Sequence, residues 1–348
     1  MNKNIIAESD ILIRDLYERF NDVDSDIKIP LYNLIEREDC INVKYRIVFL
    51  IELINRVNKS WLDIKINEFL KNAKKQTKEN FSGLLGEIIA YGELLDTFKP
   101  NNVISQKNGS DFEVKLGNEF IKVEVNTPQK TSSPYKNTKF EISNKKEYIN
   151  NGKKLICMPI TVEAPFGYPT KIESNIQYEA TSKFANIKKD KENKQFTDSN
   201  VSILWLDLND PTIFPFNLSD QCQPIMVFRG AVSSGPIWYA FYGNIGDYIY
   251  SSYEGFNNNG AVKMEFNGRF NQNTKIDFLI INAFTKKCIF QNPNSQKAFS
   301  KELCKYFLNL FGLRLNASFI DFDKNRLKAT IKNIRELNNQ YYSLFKLS

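Results

Sequence analysis

Three carboxylates stand where they could share one cation. Glu87 lies in the apolar stretch FSGLLGEIIAYGELLDTF, Asp111 opens DFEVKL, and Glu124 lies in EFIKVEV. The first stretch reads as an apolar helix. The other two read as strands joined by a short turn at Leu116, Gly117 and Asn118. A helix with one acid, followed by a hairpin with two more, can surround a hard cation with oxygen. Mg²⁺ suits such a site, because it takes one or two carboxylates and fills its remaining positions with water and phosphate oxygens. The chemistry available there is polarisation of a phosphodiester and activation of a water.

Side chains along a strand alternate between faces. In EFIKVEVN, Lys122, Glu124 and Asn126 share one face, and Ile121, Val123 and Val125 share the other. In DFEVKL, Asp111, Glu113 and Lys115 oppose Phe112, Val114 and Leu116. Each strand therefore has one polar and one apolar face, as a half-buried antiparallel pair requires. The apolar face is expected to pack on the Glu87 helix. Alternating charge on a hairpin is equally the pattern of a plain solvated face.

Gly86-Glu87 on a helix, then Gly109-Ser110-Asp111, then Val123-Glu124-Val125-Asn126, resembles the PD-(D/E)XK nuclease superfamily. Many restriction endonucleases and DNA-repair nucleases belong to it. That family runs a helix glutamate, a strand aspartate, then Glu-x-Lys on the next strand. The resemblance implies an α/β fold with a restriction-endonuclease-like core, a mixed sheet flanked by helices. It also implies Mg²⁺- or Mn²⁺-dependent hydrolysis of DNA. By position, Asp111 and Glu124 would be the metal carboxylates. Glu87 would assist from the helix, and the carbonyl of Val125 would be a further ligand. The motifs cover residues 81–130, and the likeness extends more loosely to residue 210.

The chain departs from the family at one position, where Asn126 replaces the usual lysine. An amide can hydrogen-bond a water but brings no positive charge to a developing oxyanion. Lys122 on the same face, or Lys115 on the neighbouring strand, could supply that charge. Alternatively, the site is weakened and the domain only binds.

Composition narrows the chemistry. The 348 residues contain no histidine, which excludes His-dependent nucleases, Ser-His-Asp hydrolases and His-ligated zinc. Five cysteines, at 40, 157, 222, 288 and 304, are scattered without a CxxC pair. They fit reduced, mostly buried thiols in a cytoplasmic protein and not a zinc site. No signal peptide is visible, and the longest apolar run, residues 47–54, is interrupted by Glu52 and too short to span a bilayer. The net charge of +7 is a mild bias towards a polyanion, and surface lysine kept for solubility explains it equally well.

The chain divides into three parts. Residues 1–80 read as helical, with balanced charge and apolar residues such as Ile11, Leu12, Leu16 and Phe20 at helical spacing. This region is expected to pack on the core or to mediate a homodimer or a partner subunit. Residues 81–210 are the nuclease-like core. Within it, LICMPITV (155–162) and VSILWLDL (201–208) read as buried strands flanking a basic helix over 172–196. Strand, helix, strand implies parallel pairing. Lys183, Lys188 and Lys189 on that helix are candidate phosphate contacts. Residues 211–348 mix strands and helices: strands near 224–231 and 275–284, and closing helices over 295–311 and 324–345. The aromatic run GPIWYAFYGNIGDYIY (235–250) reads as core rather than as a base-stacking platform.

The expectation is a metal-dependent endonuclease acting on DNA, in prokaryotic restriction or anti-phage defence, with DNA repair second. The alternatives are a nuclease fold that has lost catalysis and serves as a DNA-binding or scaffolding subunit, and an assembly protein that pairs through its N-terminal helices.

Overall fold

The computed structural model describes residues 3–28, 41–71, 73–106, 109–128, 147–150, 153–156, 176–196, 199–208, 221–228, 231–252, 261–283, 286–297, 299–311 and 318–345. At the start are α1 (Lys3–Glu18), α2 (Ile41–Leu70) and α3 (Lys78–Phe98). The α2 helix breaks at Asn58, whose backbone leaves helical geometry. Its side-chain oxygen then accepts from Trp61 N–H at 3.2 Å, so Asn58 caps the second half. Thr77 caps α3 by accepting from Asn80 N–H at 3.2 Å. Apolar residues surround most of α3, as in a helix buried on several sides.

The strands β1 (Val103–Ser105), β2 (Phe112–Leu116) and β3 (Glu119–Asn126) follow. Next come the hairpin β4 (Glu147–Asn150) and β5 (Lys153–Ile156), the helices α4 (Ile176–Asn186) and α5 (Glu192–Gln195), and β6 (Val201–Asp207). Then come β7 (Met226–Phe228), β8 (Ala231–Ser233), α6 (Pro236–Tyr242), β9 (Tyr248–Ser252) and β10 (Ala261–Lys263). The chain continues through β11 (Phe278–Ala283), β12 (Lys286–Gln291), α7 (Lys301–Phe311) and α8 (Lys324–Phe345).

A six-stranded mixed sheet in the order β1-β2-β3-β6-β11-β12 forms the centre, with β3, β6 and β11 parallel. Strand alternation sorts its side chains into two cores. Ile121, Val123, Ile203 and Trp205 face one side, under α1, α2, α3 and α7. Leu204, Leu206, Leu279 and Ile281 face the other, under α4, α6 and α8. Every residue of β6 is buried, as a central parallel strand requires. The protein is thus an α/β fold with helices on both faces of a mixed sheet. A smaller antiparallel sheet, β10-β9-β8-β7, lies beside α4 and α8.

The N-terminal helices belong to the first core and are not an appendage: Leu50, Ile54, Leu62 and Ile66 share it with Phe112 and Val123. Likewise β11 and β12, from beyond residue 210, complete the sheet. An ionic cluster adds to this union. Buried Glu93 on α3 receives two hydrogen bonds from Arg46 of α2, at 2.9 and 2.6 Å, and an ion pair from Lys287 of β12 at 2.8 Å.

Several expectations need correction. The strand expected over 155–162 is described only to Ile156, and there it pairs with β4 in a separate hairpin. Residues 157–162 lie outside the described residues. The parallel partners of β6 are instead β3, in register from Ile121↔Val201 to Asn126↔Leu206, and β11. The pairing with β3 continues the apolar layer of Ile121, Val123 and Val125 into Ile203 and Trp205. The helix expected over 172–196 is two helices separated by a turn, and the one expected over 295–311 starts at Lys301. The aromatic run is core: Trp238, Tyr239, Phe241 and Tyr242 of α6 are buried. Cys222, Cys288 and Cys304 are buried and in no disulfide among the described residues, whereas Cys40 and Cys157 lie outside the described residues. Among the described residues no helix is long and apolar enough to cross a membrane.

Candidate functional site

The β2–β3 hairpin sets the register of the acids. Leu116 pairs with Glu119 across a two-residue turn, and Gly117 has φ of +59° at its first position, which favours glycine. From there the strands pair outward to Phe112↔Val123. Carried one step further, that register sets Asp111 opposite Glu124, whose carboxyl feels the Asp111 charge. Asp111 is further held because its Oδ2 accepts from Val125 N–H at 2.8 Å. The backbone enters this position through Gly109, with φ of +92°, and buried Ser110, whose hydroxyl donates to the carbonyl of Phe112.

Glu124 lies at the centre. Its side chain is only 1 % exposed and shares the sheet face of α4 and α5. Its Oε1 accepts from Lys188 Nζ and from Gln195 Nε2, each at 2.5 Å. Its Oε2 is buried without a hydrogen-bond partner among the described residues, as is Oε1 of Gln195. Burial, and then the neighbouring charge of Asp111, push the Glu124 carboxyl from the ordinary 4.5 up to about 7. Lys188 pulls in the opposite direction and does not offset them.

Glu87 stands nearby but is turned to another partner. Its Oε1 pairs with Lys65 Nζ of α2 at 2.6 Å. Burial raises its pKa, Lys65 lowers it, and the charge of Asp111 raises it again, so Glu87 and Asp111 feel one another. Glu87 is brought here by a close approach of α3 to the end of β3. A Cβ on Gly86 would lie 1.8 Å from Thr127 Oγ1. Even so, no group of three or more His, Cys, Asp or Glu side chains among the described residues is disposed to hold a metal ion. Among the described residues the three carboxylates expected from the sequence do not make such a group, and Glu87 is paired with Lys65. The adjacent pair is Asp111 and Glu124.

The lysine question has a definite geometric answer. Lys122 shares the face of Glu124 but pairs with Glu113, its cross-strand neighbour. Lys115 is exposed, with Nζ 5.9 Å from the centroid of the Phe120 ring. Asn126 ends β3, half-buried, on the face of Glu124. The Val125 side chain packs into the first core while its N–H serves Asp111. The cation that reaches Glu124 is Lys188, one of the three helix lysines singled out by sequence.

Sequence reasoning missed Gln195 and the device that holds both donors. Lys188 occupies the turn between α4 and α5 with φ of +54°, an unfavourable conformation for a side-chain-bearing residue. Arg269 grips this turn from below. Its Nη1 donates to the carbonyls of Ala185 at 3.2 Å and Ile187 at 2.5 Å. Its Nε and Nη2 donate to Glu192 Oε2 at 3.1 and 2.5 Å. Glu192 Oε1 in turn accepts from Thr274 Oγ1 at 2.6 Å and from Lys275 N–H. Nothing local in the polar run KENKQF signals this arrangement.

No protein-family model, no curated protein and no solved structure matches the chain. The reading of the site rests on its own geometry. A buried carboxylate with one unpartnered oxygen, a second carboxylate opposite it and a lysine between two short helices form a hard-oxygen site with a positive charge beside it. Such a donor set fits a divalent cation that keeps several waters.

Proposed function

We propose that this protein is a metal-dependent nuclease with a restriction-endonuclease-like core that hydrolyses phosphodiester bonds in DNA. The observation that carries the reading is Glu124 Oε2, buried and without a hydrogen-bond partner among the described residues, beside the carboxylate of Asp111. Leaving such an oxygen unpaired is costly unless something satisfies it. Asp111 and Glu124 would hold Mg²⁺ or Mn²⁺, which when bound polarises the phosphodiester and lowers the pKa of a water. Lys188 takes the part that Asn126 cannot fill. Its ammonium stands at the carboxylate and can offer charge to the phosphate oxygen as negative charge develops. Asn126, on the same face, can orient a water. Glu87, held by Lys65, would assist from the helix beside this pair. A role in prokaryotic restriction or anti-phage defence, in the cytoplasm, rests on fold analogy. Exposed Ile11, Phe49, Val57 and Ile64 on α1 and α2 support a homodimer or partner subunit through these helices.

The test is incubation of plasmid and of single-stranded DNA with Mg²⁺, Mn²⁺ or EDTA. Cleavage is expected with metal and absent in EDTA. Asp111→Asn and Glu124→Gln should abolish it, and Lys188→Met should lower the rate by about a hundredfold, the usual cost of one electrostatic stabiliser. Lys122→Ala, whose cation serves Glu113, should change it little. Cleavage in EDTA, or full activity in both carboxylate variants, overturns the proposal.

A second reading draws on the ion pair itself. Lys188 already occupies one oxygen of Glu124, and the lysine position on β3 is an asparagine. A nuclease fold that only binds DNA would keep this pair closed. Calorimetric titration separates the two: a binder takes up no Mg²⁺ or Mn²⁺ at Asp111 and Glu124.

A further inference from the structure

Two donors crowd one oxygen of Glu124 and leave the other without any among the described residues. Lys188 Nζ and Gln195 Nε2 both reach Oε1, each at 2.5 Å. Glu124 Oε2 and Gln195 Oε1 are both buried and have no hydrogen-bond partner among the described residues. Each of these oxygens shares its carbon with an atom of the Gln195–Glu124 hydrogen bond, so both stand at one spot. The amide cannot simply be turned over, because its oxygen would then face Glu124 Oε1. Two buried acceptors at one spot, with no donor for either, are costly unless something satisfies them. A cation satisfies both. On the basis of the proposed nuclease reading, we infer that Gln195 is a further ligand of the divalent cation, giving its amide oxygen beside the carboxylates of Asp111 and Glu124.

The chain around Gln195 holds such a ligand still. Glu192, which opens α5, is buried and accepts from Arg269 and Thr274. The N–H of Gln195 donates to the carbonyl of Lys191 at 3.2 Å, and the N–H of buried Phe196 donates to that of Glu192 at 3.0 Å. The backbone is thus pinned on both sides of Gln195, and the bond to Glu124 aims the amide. A ligand already in place loses little conformational freedom when it binds. The site also needs another oxygen. Asp111 Oδ2 is taken by Val125 N–H, and Glu124 Oε1 by Lys188. Glu87, which the sequence suggested for that place, is paired with Lys65. An amide oxygen adds a hard donor without a further negative charge. Carboxylate and amide oxygens together suit Mg²⁺, Mn²⁺ or Ca²⁺ and not a thiophilic metal.

The experiment is Mn²⁺ titration of the whole chain without DNA, followed by electron paramagnetic resonance. Water-proton relaxation counts the waters on the bound ion. Gln195→Met keeps the length of the side chain and loses the oxygen. It is expected to weaken Mn²⁺ binding by about tenfold or more and to add a water to the bound ion. Gln195→Glu keeps an oxygen at that position and should restore both the affinity and the water count. A residue that only donates to Glu124 would lose that bond in both variants and leave the water count unchanged. The inference is overturned if Gln195→Met binds Mn²⁺ within about twofold of the wild type, or if the bound ion gains no water. Plasmid cleavage with Mn²⁺, measured in parallel, separates the two ideas. Cleavage with Mn²⁺ binding that ignores Gln195 removes the ligand and keeps the nuclease. Gln195-dependent binding without cleavage removes the nuclease and keeps the ligand. A wild type that binds no Mn²⁺ removes both.

Discussion

Replacing Gly86 by alanine should injure the protein where the same change three residues earlier should help it. Both glycines lie inside α3, where alanine is favoured over glycine by about 1 kcal/mol. A Cβ on Gly83 meets nothing within 4 Å, so Gly83→Ala should stabilise the protein by about that amount. A Cβ on Gly86 would meet Thr127 Oγ1 at 1.8 Å, Cβ at 2.9 Å and Cγ2 at 3.0 Å. Rotating the threonine side chain relieves the first contact but not the contact with its Cβ, so helix and strand must part. Overpacking of this kind costs about 1–3 kcal/mol. One short contact, with the Thr127 Cβ at 2.9 Å, persists through rotation, so the cost is expected within that range. Gly86→Ala should therefore fall about 1–3 kcal/mol below Gly83→Ala in urea denaturation. Combining Gly86→Ala with Thr127→Gly should recover most of the difference, read as the coupling in a double-mutant cycle. Because Glu87 is the next residue, Gly86→Ala should also lower the proposed nuclease activity. Equal stability of the two alanine variants, or no coupling to Thr127, would refute the close approach.

Two other outcomes follow from buried charge. Folding raises the Glu124 carboxyl from 4.5 to about 7, so the folded state binds a proton where the unfolded chain has lost it. Stability is then full below pH 4.5 and falls by about 3 kcal/mol as pH rises through about 7. Urea midpoints of the metal-free protein at pH 5 and pH 8 should differ accordingly, and Glu124→Gln should remove that difference; parallel curves would contradict it. Arg269→Ala strands buried Glu192 and should cost about 3–5 kcal/mol, with Arg269→Met plus Glu192→Leu recovering part. A loss under 1 kcal/mol by thermal or urea unfolding would show that the pair does not hold the Lys188 turn.

What could be read from the sequence was local. The hairpin faces follow from strict alternation, and they placed Ile121, Val123 and Val125 against α3 and Glu124 opposite them. The closing helix over 324–345 matched because its apolar positions repeat without interruption. The parallel neighbours of β6 were not legible, since several apolar runs could serve and only the three-dimensional layers select β3 and β11. Lys188 and Gln195 lie 64 and 71 residues from Glu124 in the chain, so no spacing could link them. Glu87 looked like a ligand because nothing in its own stretch reveals Lys65, which comes from the preceding helix. The turn at Lys188 defeated the helical reading, because its positive φ is imposed from outside by Arg269.

The cluster around Glu93 has a consequence for synthesis. Its two cations lie on opposite sides of it in the chain, Arg46 made before it and Lys287 long after. At about 5–20 residues per second, a growing chain waits roughly ten to forty seconds between Glu93 and Lys287. During that wait β6, apolar on both faces, has no β11 to cover its edge, and an open apolar edge invites foreign pairing. Ribosome-bound chains halted before residue 278 should therefore recruit chaperones and remain open to protease. Chains extended past residue 291 should lose both signs.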